Sequence, residues 1–295
     1  MKLGIDLGGT KIEIIALNDK GAVLLRRRIP TPQDDYYSTL QAIASLVNTV
    51  ETELGQRGTV GIGTPGTISK ATGLLKNSNS VKLNGKPILQ DLEALLQRPI
   101  KLCNDANCFA LSEATDGAAA GASVVLGIIV GTGTGAGIVV NGQVLTGPNG
   151  IAGEWGHNPL PWPDKEELPG SACYCGKHGC IETFLSGPGL RKLHLIETGV
   201  SLAPKEIVAK AEVGDPACEL SLQRYENRFA RSLAHVINIL DPDVIVFGGG
   251  MSNIERLYTN IPQLWGRWVF SDRVDTQLVK NKFGDSSGVR GAAWL

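Results

Sequence analysis

Gly4-Ile5-Asp6-Leu7-Gly8-Gly9-Thr10-Lys11 opens the chain, and Gly131-Thr132-Gly133-Thr134-Gly135-Ala136-Gly137 repeats its plan near the middle. Each turn is flanked by apolar runs, residues 3–7 and 12–17 in the first case, 123–130 and 138–140 in the second. Short apolar runs bounded by glycine read as buried strands. Strand, glycine-threonine turn, strand thus occurs once in each half, which predicts a faint internal duplication; the plainer reading is two hairpins that share glycine.

Working outward, a third strand is expected at 22–29 and a helix at 36–54, where Leu40, Ile43, Leu46, Val47 and Val50 keep a helical period. A strand at 60–63 ends in Thr64-Pro65-Gly66, and a helix follows at 88–97. Ile100–Cys103 reads as a strand that delivers Asn104-Asp105 at its carboxyl end, before a helix at about 107–119. Beyond the second turn, Asn141-Gly142 marks a hairpin, 217–240 a long helix, 244–247 a strand ending in Gly248-Gly249-Gly250, and 286–295 a last helix. This alternation is that of an α/β protein.

The 295 residues suit two domains. Glycine stands out at 37 residues, clustered beside apolar runs as tight turns against ligands require. A net charge of −1 without a basic stripe argues against nucleic acid or an anionic membrane as partner. No signal peptide pattern opens the chain, and no apolar run approaches the roughly 18 residues of a membrane span. A soluble, cytoplasmic protein is expected.

A backbone without Cβ brings its N–H groups close to phosphate oxygens. The first turn is not a Walker A loop, because its lysine follows threonine and comes one place late; the second lacks the dinucleotide spacing and leads into a strand. Three such turns, after residues 7, 130 and 247, suggest a nucleotide gripped between two domains. Asp6, at the start of a phosphate turn, would repel phosphate unless a cation intervened, so a Mg²⁺-linked role is expected; the alternative is a turn cap.

Cys173, Cys175 and Cys180 fall within eight residues, close after Glu154-Trp155-Gly156-His157. Three cysteines and a histidine make a closed tetrahedral Zn²⁺ set, structural because no position is left for water. His178 is an alternative fourth ligand. Cys103, Cys108 and Cys218 are expected to be buried thiols.

These residues, together with Asn104-Asp105-Ala106-Asn107, the run Glu-x-Gly-His…Cys-x-Cys-Gly-x-x-Gly-Cys-x-Glu and the final Gly288-Val289-Arg290-Gly291-Ala292-Ala293, resemble the ROK family of sugar kinases and sugar-responsive repressors. The zinc run is the specific part. Within the family, Glu154 to Trp162 looks most like the fructokinase (mannofructokinase) branch, with N-acetylglucosamine kinase as nearest neighbour. The resemblance implies a two-domain, actin-like (ribonuclease H-like) α/β fold with the active site in a cleft. It places residues 1–118 and 284–295, including a returning C-terminal helix, in a smaller domain, and 119–283 in a larger one carrying the zinc.

Carried over by position, the resemblance makes Asp105 the catalytic base. Gly66, Asn79, Asn104, Glu154, His157 and Glu182 then hold the sugar, with His157 serving zinc and sugar through its two nitrogens. Asp6, Gly8, Gly9, Thr10, Lys11, Thr132, Gly133 and Gly249 face the nucleotide. ATP with Mg²⁺, a structural Zn²⁺ and a homodimer are implied. The acceptor expected is fructose, because Trp155 and Pro159–Trp162 could narrow the pocket; N-acetylglucosamine or glucose is the alternative. A repressor would need a DNA-binding segment ahead of Asp6, and a sugar-binding module without catalysis would be expected to lose Asp105 or the turns.

Overall fold

The computed structural model describes residues 1–33, 35–78 and 80–295, and the chain divides into two compact units. The first comprises Met1–Gly121, Gly137–Ala152 and Lys282–Leu295, the second Ala122–Ala136 and Gly153–Asn281. Residues 137–152 thus group with the first unit, whereas the sequence reading places them in the second domain.

In the first unit the chain forms β1 (Lys2–Leu7), β2 (Lys11–Leu17), β3 (Val23–Pro30), α1 (Tyr36–Leu54), β4 (Thr59–Thr64), β5 (Thr67–Ile68), β6 (Leu75–Lys76), α2 (Ile88–Leu96), β7 (Ile100–Asn104) and α3 (Asp105–Thr115). The main sheet has the order β3-β2-β1-β4-β7, with β1, β4 and β7 parallel and β2 antiparallel to both neighbours. Helix α1 begins where the Asp35 carboxylate accepts from Ser38 N–H at 2.7 Å and ends at Gly55, whose φ of 61° suits glycine. Its buried face, Leu40, Ile43, Val47 and Val50, joins Leu3, Ile5, Leu7 and Ile62 in the core. Alternation on the strands sends these side chains to one face of the sheet.

The opposite face receives the end of the chain. Gly4 of β1 lies beside Gly61 of β4 in register. A Cβ on Gly4 would stand 2.1 Å from Val289 O, and one on Gly61 1.9 Å from Ala292 O. The paired glycines therefore let helix backbone rest directly on the sheet. Ion pairing of Arg290 with Asp116 and the 2.7 Å bond from Ser287 O–H to the buried Glu113 carboxylate secure that segment.

The rest of the chain forms β8 (Val124–Val130), β9 (Thr134–Val140), β10 (Gln143–Val144), α4 (Ile181–Leu185), α5 (Gly187–Thr198), α6 (Pro204–Glu212), α7 (Pro216–Leu240), β11 (Val244–Gly248), α8 (Arg256–Trp265), β12 (Gln277–Lys280) and α9 (Ser287–Trp294), the helix that lies on β1 and β4. The second sheet has the order β10-β9-β8-β11-β12, with β8, β11 and β12 parallel. The two strand orders coincide element for element, as the duplication read from the two turns requires. In the second unit α7 is capped by Asp215, which accepts from Ala217 and Cys218 N–H at 3.0 Å, and buries Tyr225 edge-on to Phe229 and Phe229 against Phe247. Among the described residues no helix is long and apolar enough to cross a membrane.

Candidate functional site

In the first unit three parallel strands end together, and their carboxyl ends gather the predicted residues. Thr64 pairs with Asn104 in register, and Asp6 with Gly63. Asn104 caps α3: its Oδ1 accepts from Ala106 N–H at 2.9 Å while its Nδ2 donates to Gly66 O at 3.2 Å. The helix accordingly starts at Asp105, two residues before the predicted position, and stops at Thr115 rather than 119. Capping falls to Asn104, so Asp105 is the first helical residue, with its Oδ1 accepting from the Ala106 N–H at 2.8 Å. Burial raises the Asp105 carboxyl above the usual range.

Asp6 is pushed up to about 6, first by burial and then by the charges of Asp105 and Glu13, against the pull of Lys11 and Arg28. Among the described residues its carboxylate caps no turn, and a cation would relieve both its desolvation and its repulsion from Asp105. Gly8 N–H donates to Lys11 O at 3.0 Å, closing the turn between β1 and β2, and Thr31 Oγ1 and Gln33 Nε2 donate to Gly8 O and Gly9 O. Gly9 and Thr10 remain exposed at its tip. Gly66 requires glycine twice over, by a φ of 87° and by a Cβ position 2.4 Å from Lys76 O. Asn79 lies outside the described residues.

In the second unit the turn after β8 and the loop after β11 sit side by side. Gly249, at φ 83°, would carry a Cβ 2.5 Å from Val130 O. Gly131 N–H donates to Gly133 O, and Gly187 N–H to Gly131 O. Thr132 is exposed at the tip. Glu182, the second residue of α4, accepts from Thr134 N–H at 2.9 Å. Thr134, which the sequence reading passed over, buries an Oγ1 that has no hydrogen-bond partner among the described residues.

The donor atoms of His157, Cys173, Cys175 and Cys180 all lie within 4.8 Å of one another. Cys175 Sγ is 3.6 Å from Cys180 Sγ, and Cys173 Sγ 3.6 Å from His157 Nδ1. A tetrahedron with Zn–S near 2.3 Å and Zn–N near 2.0 Å has edges of about 3.5–3.8 Å. A disulfide would need sulfurs about 2.05 Å apart. Burial and the neighbouring thiols push Cys180 up to about 12, while the Lys177 backbone N–H holds Cys175 below the usual thiol range; a cation would favour the thiolate form of each ligand. Geometry and chemistry both fit zinc. His178 is exposed and outside the set.

The second nitrogen of His157 is engaged by a residue that spacing alone does not single out. His157 Nε2 lies 2.9 Å from the Tyr174 hydroxyl, with the rings edge-on at 88°. The Tyr174 phenol is raised to about 12, by desolvation and then by the charge of Glu182, with Cys173, Glu154 and Cys175 also contributing. Trp155, by contrast, does not line an open pocket. It is buried against Phe229, and its Nε1–H donates to Ser232 O at 3.2 Å. The inward turn of this ring takes Trp155 out of the expected narrowing of the pocket, while Trp162 stays exposed.

The family model described as "ROK family" matches residues 2–295. N-acetyl-D-glucosamine kinase of Photobacterium profundum is 40% identical over 299 residues, 100% of this chain and 99% of that protein. The ROK hexokinase from Thermus thermophilus has a similar structure, with a TM-score of 0.88 and 33% identity over 100% of this chain and 97% of that one. A ROK family glucokinase from Streptomyces griseus, in complex with glucose and AMPPNP, has a TM-score of 0.77 at 27% identity, covering 99% and 97%.

Proposed function

The chain belongs to the ROK family and has its two-domain, actin-like α/β fold, and from there we propose that it is an ATP-dependent sugar kinase whose acceptor is N-acetylglucosamine. The observation that carries this reading is the full-length likeness to the Photobacterium profundum N-acetyl-D-glucosamine kinase. Fructose, favoured by the sequence segment from Trp155 to Trp162, finds no support among these relatives.

Asp105 is the proposed base. Its carboxylate takes the proton of a sugar hydroxyl as that oxygen attacks the γ-phosphorus of ATP and the bond to the β–γ bridging oxygen breaks, releasing ADP. A carboxyl whose affinity for protons is raised by burial is better suited to this than an exposed one. Mg²⁺, when bound, neutralises phosphate charge, and Asp6 is the group that would hold it, directly or through water. Backbone N–H groups of the turns at Gly8-Gly9-Thr10-Lys11, Thr132-Gly133 and Gly249 are proposed for the phosphates.

Sugar hydroxyls are assigned to Gly66, Asn79, Asn104, Glu154, His157 and Glu182. His157, Cys173, Cys175 and Cys180 would hold zinc, which would supply a rigid centre that orients these groups. The decisive experiment measures ADP release with Mg-ATP against N-acetylglucosamine, glucose, mannose and fructose. Preferred turnover of N-acetylglucosamine is expected; preference for fructose would move the acceptor, and silence on all four would remove the kinase.

A further inference from the structure

The contact between Tyr174 and His157 has no part in the chemistry above, and it sits where that chemistry needs a free group. With Nδ1 facing the thiol of Cys173 at 3.6 Å, a bound zinc would take the Nδ1 lone pair and leave the proton on Nε2. That Nε2–H would then donate to the Tyr174 hydroxyl oxygen, 2.9 Å away. The backbone of Tyr174 is held by a cysteine of the set on each side. Its side chain is 84% exposed, so little besides the His157 contact anchors it. A tethered backbone with a loosely packed side chain allows the hydroxyl to leave by rotation alone.

We propose that the Tyr174 hydroxyl is a stand-in for substrate: in the sugar-free protein it occupies the hydrogen-bonding position on His157 Nε2 that a sugar hydroxyl takes in the loaded one. This rests on the assignment of His157 to the sugar. Tyr174 is accordingly a positioning residue. It keeps the imidazole oriented while the site is empty, and its displacement opposes sugar binding. The neighbouring carboxylates of Glu154 and Glu182 define the same place as polar and ready to receive hydroxyl groups. A phenol is suited to the part because its oxygen accepts as a sugar oxygen does.

The test uses the zinc-loaded full chain, native and Tyr174→Phe, titrated calorimetrically with N-acetylglucosamine in the absence of ATP. Removing a competing hydrogen bond of ordinary strength is expected to tighten sugar binding roughly fivefold. Zinc stays stoichiometric in the variant. In ¹⁵N–¹H spectra of the histidine ring, the Nε2–H of His157 is protected in the native sugar-free protein. It exchanges freely in Tyr174→Phe and is protected again in both on adding sugar. Sugar binding that is unchanged or weakened in the variant overturns the proposal, as does loss of zinc or an Nε2–H indifferent to the substitution. Native protein that binds no sugar at all would instead sink the functional reading, and this proposal with it.

Discussion

Glu182 accepts a hydrogen bond from the Thr134 backbone N–H at 2.9 Å, and it stands two places after Cys180 of the metal set. The same carboxylate leaves no room at Gly133, where a Cβ would be 2.8 Å from its Oε2. The cysteine segment and the glycine turn are therefore mechanically joined through one side chain. A metal that fixes Cys180 fixes the start of α4, and α4 fixes the turn.

From this linkage, zinc removal is expected to affect nucleotide as well as sugar. Stripping the metal with a chelator should weaken binding of a non-hydrolysable Mg-ATP analogue by about tenfold, the scale of a lost supporting contact around a metal. Fluorescence titration before and after zinc removal reads the effect. Unaltered nucleotide binding in zinc-free protein would separate the two segments. Cys175→Ser is expected to lose the stoichiometric zinc by elemental analysis.

Asp105→Ala should lower kcat by a factor of about 10² to 10⁴, the range of general-base contributions, with the sugar dissociation constant little changed. Steady-state ADP release paired with calorimetry makes the separation. Near-native turnover in the variant would remove Asp105 as the base.

Asn104→Ala removes the cap of α3 and the bond to Gly66 O together. A loss of about 1 kcal/mol in unfolding free energy is expected for the cap. Denaturant titration, with Asp105→Ala as the comparison, shows whether the cap belongs to Asn104 as the structure has it.

The raised Asp6 carboxyl gives a pH signature. Its folded-state value of about 6 exceeds the ordinary 3.8, so the folded chain holds this proton more tightly than the unfolded chain. The stability it contributes is fully present below pH 3.8 and is lost as pH rises through 6. Asp6→Asn should therefore be relatively more stable than native protein above pH 6 without Mg²⁺, by at most on the order of 3 kcal/mol. Thermal unfolding from pH 4 to 8 with and without Mg²⁺ measures it, and a pH-independent difference would contradict the raised value.

Gly291→Ala tests the seating of the last helix. A Cβ there would lie 1.6 Å from Cys108 O, backbone that cannot step aside. A loss of roughly 3–5 kcal/mol is expected, enough to leave much of the chain insoluble on expression. Native-like solubility and melting would show that α9 sits elsewhere.

Much of the architecture was legible in the residues because its signals are local. Apolar runs of strand length, the 36–54 period that became α1, and glycine turns closing after residues 7 and 130 depend only on neighbours in the chain. The cysteine spacing brought four donors together for the same reason: three of them lie in one short loop. The five-residue α4 is too short to show a period, and α5, α6, α8 and β12 were not anticipated at all. What only the tertiary structure decided are choices between partners far apart in the sequence. Gly4 and Gly61 became a paired seat for α9 through strand order, which no local pattern contains. Asn104 took the cap and freed Asp105 because Gly66 O was there to hold its amide. Trp155 turned inward because α7 offered Ser232 O and Phe229. Tyr174, a spacer between two cysteines in the sequence, reached His157 once the loop folded. Local spacing settles which residues can act, while the fate of each polar atom is settled by whichever distant group packing brings within hydrogen-bond reach.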